Sequence, residues 1–123
     1  MLTSILIPYY NNSSTIEKAI ESCLIQGKTY VKEIIIIDDN SIDEEFDFLI
    51  SLKAKYNLLK VYKNPDKGGN SARNYAFQKS NGEYIQWLDA DDMLLDDKFK
   101  AQIKYFEKHP NIDIIYSDWR YDF

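Results

Sequence analysis

The sequence lacks a second cysteine, a long apolar run, an excess of positive charge and a glycine-rich phosphate fingerprint. Each lack closes a class of function. Cys23 is the only cysteine, so no internal disulfide can form, which suits a reducing compartment. The longest unbroken aliphatic stretch, Ile34 to Ile37, falls far short of the roughly 20 residues that cross a bilayer, so no transmembrane segment is expected. Met1 to Pro8 has no basic residues ahead of its apolar run, and Pro8 interrupts that run. It reads as a strand and not as a secretion signal, which leaves the sequons in Asn11-Asn12-Ser13-Ser14 without meaning. Fifteen basic residues face twenty acidic ones, for a net charge of −5. A nucleic-acid binder needs a basic stripe, so no nucleic-acid partner is expected. Gly68-Gly69 belongs to neither a Walker loop nor a Gly-x-Gly-x-x-Gly dinucleotide turn.

What is present describes one globular domain. The 123 residues are 45% hydrophobic and 28% charged, which is ordinary usage and excludes disorder, collagen and coiled coil. A chain of this length buries roughly two-thirds of the surface its unfolded form exposes, enough for one core. Ten tyrosines, with many isoleucines, lysines and asparagines, read as a compositional bias of the source and not as a binding surface.

The apolar pattern alternates between two periods. Residues 2–8 form a β-branched run that Pro8 is expected to close. Ser14 to Glu17 offers a capping box, and Ile16, Ala19, Ile20, Cys23 and Leu24 then share one helix face, with Gly27 as its stop. Glu33 to Asp38 is a second strand. Its four consecutive isoleucines imply burial on both faces, as in a parallel sheet covered by helices. A second capping box at Ser41 to Glu44 opens a helix faced by Phe46, Leu49 and Ile50. Leu58 to Tyr62 is a third strand, Lys63 to Gly69 a loop and Asn70 to Lys79 a helix. After an Asn81-Gly82 turn, Tyr84 to Leu88 is a fourth strand. A helix from Asp96 to Glu107, faced by Phe99, Ile103 and Phe106, ends at His109-Pro110, and Ile112 to Tyr116 is a fifth strand. This rhythm predicts an α/β fold with a mostly parallel sheet flanked by helices.

Open α/β sheets bind ligands beyond the carboxyl ends of their strands. There the sequence places Pro8, Tyr10, Asp38, Asp39, Arg73 and the cluster Asp89, Asp91, Asp92. Carboxylates crowded on one edge repel one another and give a sheet no stability. An Asp-x-Asp either caps the next helix or holds a hard divalent cation, and Mg²⁺ takes one or two protein carboxylates together with phosphate oxygens. Such a cation resolves how an acidic chain would hold an acidic ligand. Of Asp38 and Asp39, one either caps the following turn or accepts a hydrogen bond from a ligand. Tyr10 either stacks on a planar base or packs on the sheet edge. Arg73 either pairs with a phosphate or lies on a helix surface. Cys23 reads as core and His109 as structural.

As a set these segments resemble family 2 glycosyltransferases of the GT-A fold, a Rossmann-like architecture. The likeness rests on Ser4 to Asn11, Ile36 to Asp43, Gly69-Asn70-Ser71-Ala72-Arg73-Asn74 and Gly82 to Asp92, in the family's order and over nearly the whole chain. The resemblance implies a nucleotide-sugar site in which Pro8 and Tyr10 flank the base and Asp39 hydrogen-bonds it. Arg73 would lie near base and phosphates, and Asp89 would face the ribose and the metal. Asp91, with Asp89, would ligate Mg²⁺ or Mn²⁺. It further implies a bacterial, cytoplasmic enzyme of cell-envelope polysaccharide synthesis, peripheral at the inner membrane face, that transfers sugar with inversion from a UDP-sugar to a saccharide or lipid-linked acceptor.

The resemblance also sets a boundary. In the family the general base lies well downstream of the Asp-x-Asp, in the acceptor half, and catalytic domains are about twice this length. Residues 1–123 are therefore expected to be a donor-binding half without its base, Asp118 being a poor substitute. Core exposed on the acceptor side would favour self-association. Two other readings compete: a binding or interaction module without catalysis, and a phosphoacceptor receiver using Asp38 or Asp39.

Overall fold

The computed structural model describes residues 2–117; Asp118 lies outside them. In chain order the elements are β1 (Thr3–Tyr9), α1 (Ile16–Ile25), β2 (Val31–Asp38), α2 (Asp43–Lys55), β3 (Leu59–Lys63), α3 (Gly69–Lys79), β4 (Tyr84–Trp87) and α4 (Lys98–Lys108). The four strands form one sheet in the order β3-β2-β1-β4, and every pairing is parallel.

The isoleucines of β2 sit at the middle of this sheet and show why it needs two covered faces. Ile34 and Ile36 join α1, α2 and α4 residues such as Ile20, Leu49 and Phe99 in the larger core. Ile35 and Ile37 point the other way, against Ala72 and Ala76 of α3. All four are fully buried. The two alanines let α3 approach the sheet closely. The split follows from the strand order: the chain steps from β1 to β2 to β3 in one direction and then returns past β1 to β4. A right-handed crossover on the return must use the opposite face.

Several sequence expectations need correction. β1 runs through Pro8 to Tyr9. In a parallel sheet successive residues bond to alternate neighbours. Leu6 accepts from Leu88 N on the β4 side, while Tyr9 accepts from Asp39 N on the β2 side. Pro8 therefore faces the β4 side, beyond the point where that strand ends, and no ladder bond is lost. Neither capping box forms: Thr15 and Ile42 occupy the N-cap positions without side-chain caps. Ile50 is 41% exposed, because α2 turns Leu49 and Leu52 inward instead. The expected fifth strand at Ile112 to Tyr116 is irregular chain. A strand needs a neighbour to bond; this segment finds none among the described residues, and Ile114 and Tyr116 are exposed.

Candidate functional site

The sheet reverses its order of winding between β1 and β4, and beyond the carboxyl ends of the strands lies a cleft of about 270 Å³. Its walls include Pro8, Tyr10, Asp39, Arg73, Asp89 and Asp91. These six residues come from four separate segments, and all are among those the sequence singled out; Asp38 and Asp92 do not line the cleft. A second hollow of about 300 Å³, at the opposite end of the sheet, is walled by Leu24, Val31, Tyr56 and Leu58 and contains none of the sequence candidates.

Each wall residue is placed by a local cause. Tyr10 follows β1 and is 60% exposed, so it stands at the cleft and is not packed away on the sheet edge. Its amide donates to Asn12 Oδ1 at 3.0 Å, and Asn11 takes a left-handed backbone, φ 50°, that turns the chain away from the sheet. The two aspartates after β2 divide their roles. Asp38 is buried, and its Oδ1 accepts from Ser41 N at 3.4 Å, which is the turn-capping role. Asp39 Oδ1 accepts from Asn64 Nδ2 at 3.0 Å and from Gly68 N at 3.0 Å. A weaker bond from Asn40 Nδ2 at 3.3 Å reaches the same oxygen. Oδ2 takes none of these bonds.

Asn64 was not among the sequence candidates. It is 6% exposed and also donates to Ser71 Oγ at 2.9 Å. Its Oδ1 accepts from Asp66 N at 3.1 Å. The available signal was an asparagine two residues before an aspartate in a Pro-containing loop, an Asx-turn pattern.

Arg73 projects from the first turns of α3. Its Nη2 lies 3.8 Å from Asp89 Oδ1, with the two side chains 44% and 62% exposed, so this long, solvent-screened pair adds little stability. Gly69 passes directly beneath: a Cβ there would meet Arg73 Nη1 at 3.1 Å.

Beyond β4, Asp89 and Asp91 are exposed on either side of buried Ala90. Asp89, Asp91 and Asp92 can each bring one carboxylate oxygen within 4.8 Å of the others. Burial, reinforced by the charges of Asp91 and Asp89, pushes the Asp92 carboxyl above its usual range. A group of hard oxygen donors at this separation suits Mg²⁺ or Mn²⁺ better than a soft metal. Cys23 is confirmed as core, and burial pushes its thiol up to about 12. His109 stacks on Tyr105 at 4.1 Å, away from the cleft. No helix of the described residues is long and apolar enough to cross a membrane.

Known proteins resemble this chain in sequence and fold. The Escherichia coli UDP-Glc:alpha-D-GlcNAc-diphosphoundecaprenol beta-1,3-glucosyltransferase WfaP is 39% identical over 106 residues, covering 86% of this chain and 41% of that protein. The Bacillus subtilis minor teichoic acid biosynthesis protein GgaB is 34% identical over 115 residues, covering 91% of this chain and 13% of that protein. The crystal structure of Staphylococcus aureus TarS 1-349 in complex with UDP-GlcNAc superimposes with a TM-score of 0.76 at 27% identity, covering 89% of this chain and 32% of that one. The chain thus spans less than half the length of each of these three. The profile of Glycosyl transferase family 2 matches residues 4–122, and the chain belongs to that family.

Proposed function

We propose that residues 1–123 form the donor-binding part of a metal-dependent glycosyltransferase. It would move a sugar from a UDP-sugar to an acceptor hydroxyl with inversion at the anomeric carbon. The observation that carries this reading is the convergence of Pro8, Tyr10, Asp39, Arg73, Asp89 and Asp91 on one cleft at the carboxyl rim of the sheet. Tyr10 offers an exposed ring for the uracil. Asp39 Oδ2, held by the bonds to its partner oxygen, accepts from an N–H of the base, which a pyrimidine dione provides. Arg73 supplies positive charge beside the diphosphate. Asp89 and Asp91 would hold Mg²⁺ or Mn²⁺. When bound, such an ion neutralises charge on the departing diphosphate.

Inversion in one displacement breaks the bond from the anomeric carbon to phosphate oxygen as the acceptor oxygen attacks from the opposite side. The acceptor proton needs a base, and among the described residues the cleft carboxylates are already engaged with nucleotide and cation. The base is therefore unassigned. A saccharide or lipid-linked acceptor and a cytoplasmic site at the inner membrane face follow from the same reading, supported by the undecaprenol-linked acceptor named for the E. coli relative. A binding module without transfer would use the same cleft. Detection of sugar transfer or donor hydrolysis by this chain separates the two.

Thermal denaturation with UDP and Mn²⁺, with and without chelator, tests the donor reading. A ligand at about 100 times its Kd adds ~2.7 kcal/mol, or about 10 °C for a chain of this size. Stabilisation by UDP that vanishes on chelation is the expected result. The absence of metal-dependent stabilisation by any nucleoside diphosphate would overturn it.

A further inference from the structure

The segment from Leu88 to Asp97 contains no helix or strand, yet it carries the carboxylates of the cleft. What fixes it is a row of polar side chains along α1. Thr15, Ser22 and Gln26 are spaced so that they fall on one side of that helix. Ser22 Oγ accepts from Leu94 N at 3.0 Å. Gln26 Nε2 donates to Leu95 O at 2.8 Å, and its Oε1 accepts from Phe99 N at 3.0 Å. Thr15 stands at the N-cap of α1 without capping it. Its hydroxyl instead donates to Ala90 O at 3.0 Å, a shorter bond than the 3.3 Å one to Asn12 O nearby.

Ala90 is the middle residue of Asp89-Ala90-Asp91. Drawing its carbonyl toward α1 buries its methyl group and turns both neighbouring carboxylates to the cleft. The turn closes with Asp92 N donating to Asp89 O at 3.1 Å. We propose that Thr15 is a positioning residue for this turn: its hydroxyl, bonded to the Ala90 carbonyl, holds Asp89 and Asp91 in the separation a divalent cation and a diphosphate require. The inference rests on the donor reading for its ligand, but its geometric part stands on the apo protein.

Thr15→Val keeps the shape and removes the donor; Thr15→Ser keeps the donor. In the full chain, Thr15→Val is expected to weaken Mn²⁺-dependent UDP affinity about three- to tenfold, as loss of one neutral hydrogen bond implies. UDP binding in chelator should be unchanged, and Thr15→Ser should restore the metal-dependent affinity. Amide exchange at Asp92 in the ligand-free Thr15→Val variant should quicken by a similar factor, with the exchange of β2 unaltered. Equal Mn²⁺–UDP affinity in wild type and Thr15→Val, with unchanged exchange at Asp92, would overturn the proposal. So would an equal loss of UDP binding with and without metal, which marks a general packing defect. If the wild type itself takes no Mn²⁺ with UDP, the donor reading fails, and exchange at Asp92 still decides whether Thr15 holds the turn.

Discussion

Gly82 and Asp91 show how differently two residues bear on one molecule. Gly82 lies where the chain enters β4, so close to β1 that a Cβ would sit 2.5 Å from Ser4 N and 2.6 Å from Ser4 Oγ. Backbone cannot yield there without breaking the sheet, and Gly82→Ala is expected to cost about 3 kcal/mol by overpacking, read from the midpoint of urea denaturation. Asp91 is exposed and, among the described residues, has no hydrogen bond or ion pair that the fold depends on. Asp91→Asn should leave stability within about 0.5 kcal/mol of wild type while abolishing the chelator-sensitive part of UDP stabilisation. If that variant kept its Mn²⁺ dependence in the thermal assay, Asp91 would not be a metal ligand. Pro8, Tyr10, Asp39, Asp89 and Asp91 were legible in the sequence, because they sit at or just beyond strand ends that can be read from apolar runs. The roles of Asn64, although it directly follows β3, and of Thr15 were not. Their roles arise from neighbours 25 and 75 residues away, and no local pattern encodes such distances.

At the scale of elements, legibility followed the density of apolar residues. β2 was clear because four isoleucines in a row are costly anywhere but between two helical layers. The helix starts were less clear: both capping-box sequences are present and neither side chain caps. Ser41 Oγ is instead engaged by Asn11 N at 2.9 Å, and Thr15 reaches Ala90. The segment at Ile112 to Tyr116 has the alternation of a strand, but a strand exists only with a partner, and sequence pattern cannot show whether one is present. α4 illustrates the converse. Asp97 at its N-cap has a left-handed backbone, φ 60°, and makes no cap bond; Gln26 satisfies Phe99 N from across the core. Gln26→Leu should therefore strand the buried Phe99 N, take from Leu95 O the shorter of its two bonds, and destabilise the chain by about 2 kcal/mol. Faster amide exchange at Phe99 than at residues of β1 would confirm that the loss begins at α4. A uniform change in exchange across both elements would argue against a local clasp.

The whole molecule is tied together at the amino ends of its strands by one buried carboxylate. Glu33 of β2 is 1% exposed. Ser4 Oγ of β1 donates to its Oε2 at 2.6 Å, Asn81 N donates to the same oxygen at 2.7 Å, and Lys60 Nζ of β3 donates to Oε1 at 2.7 Å. Gly82 N in turn donates to Ser4 Oγ at 2.8 Å, so the network reaches all four strands or their approaches. Burial alone would push the Glu33 carboxyl up, but the bonds from Lys60, Ser4 and Asn81 outweigh it and hold the group below the usual range. The unfolded chain releases this proton near pH 4.3. Because the folded value is the lower one, the stabilisation is fully present above the unfolded value and is lost as pH falls through the folded one. The chain should thus lose stability below about pH 4 with one more proton bound on unfolding than surface carboxylates account for. Glu33→Gln removes that proton from the balance and should flatten the acid limb, while Glu33→Ala, which leaves Lys60 and Ser4 without their acceptor, should cost about 3 kcal/mol at neutral pH. Urea midpoints measured from pH 3 to pH 7 read both effects together. An acid limb as steep in Glu33→Gln as in wild type would assign the acid sensitivity to other carboxylates and leave Glu33 as a packing residue.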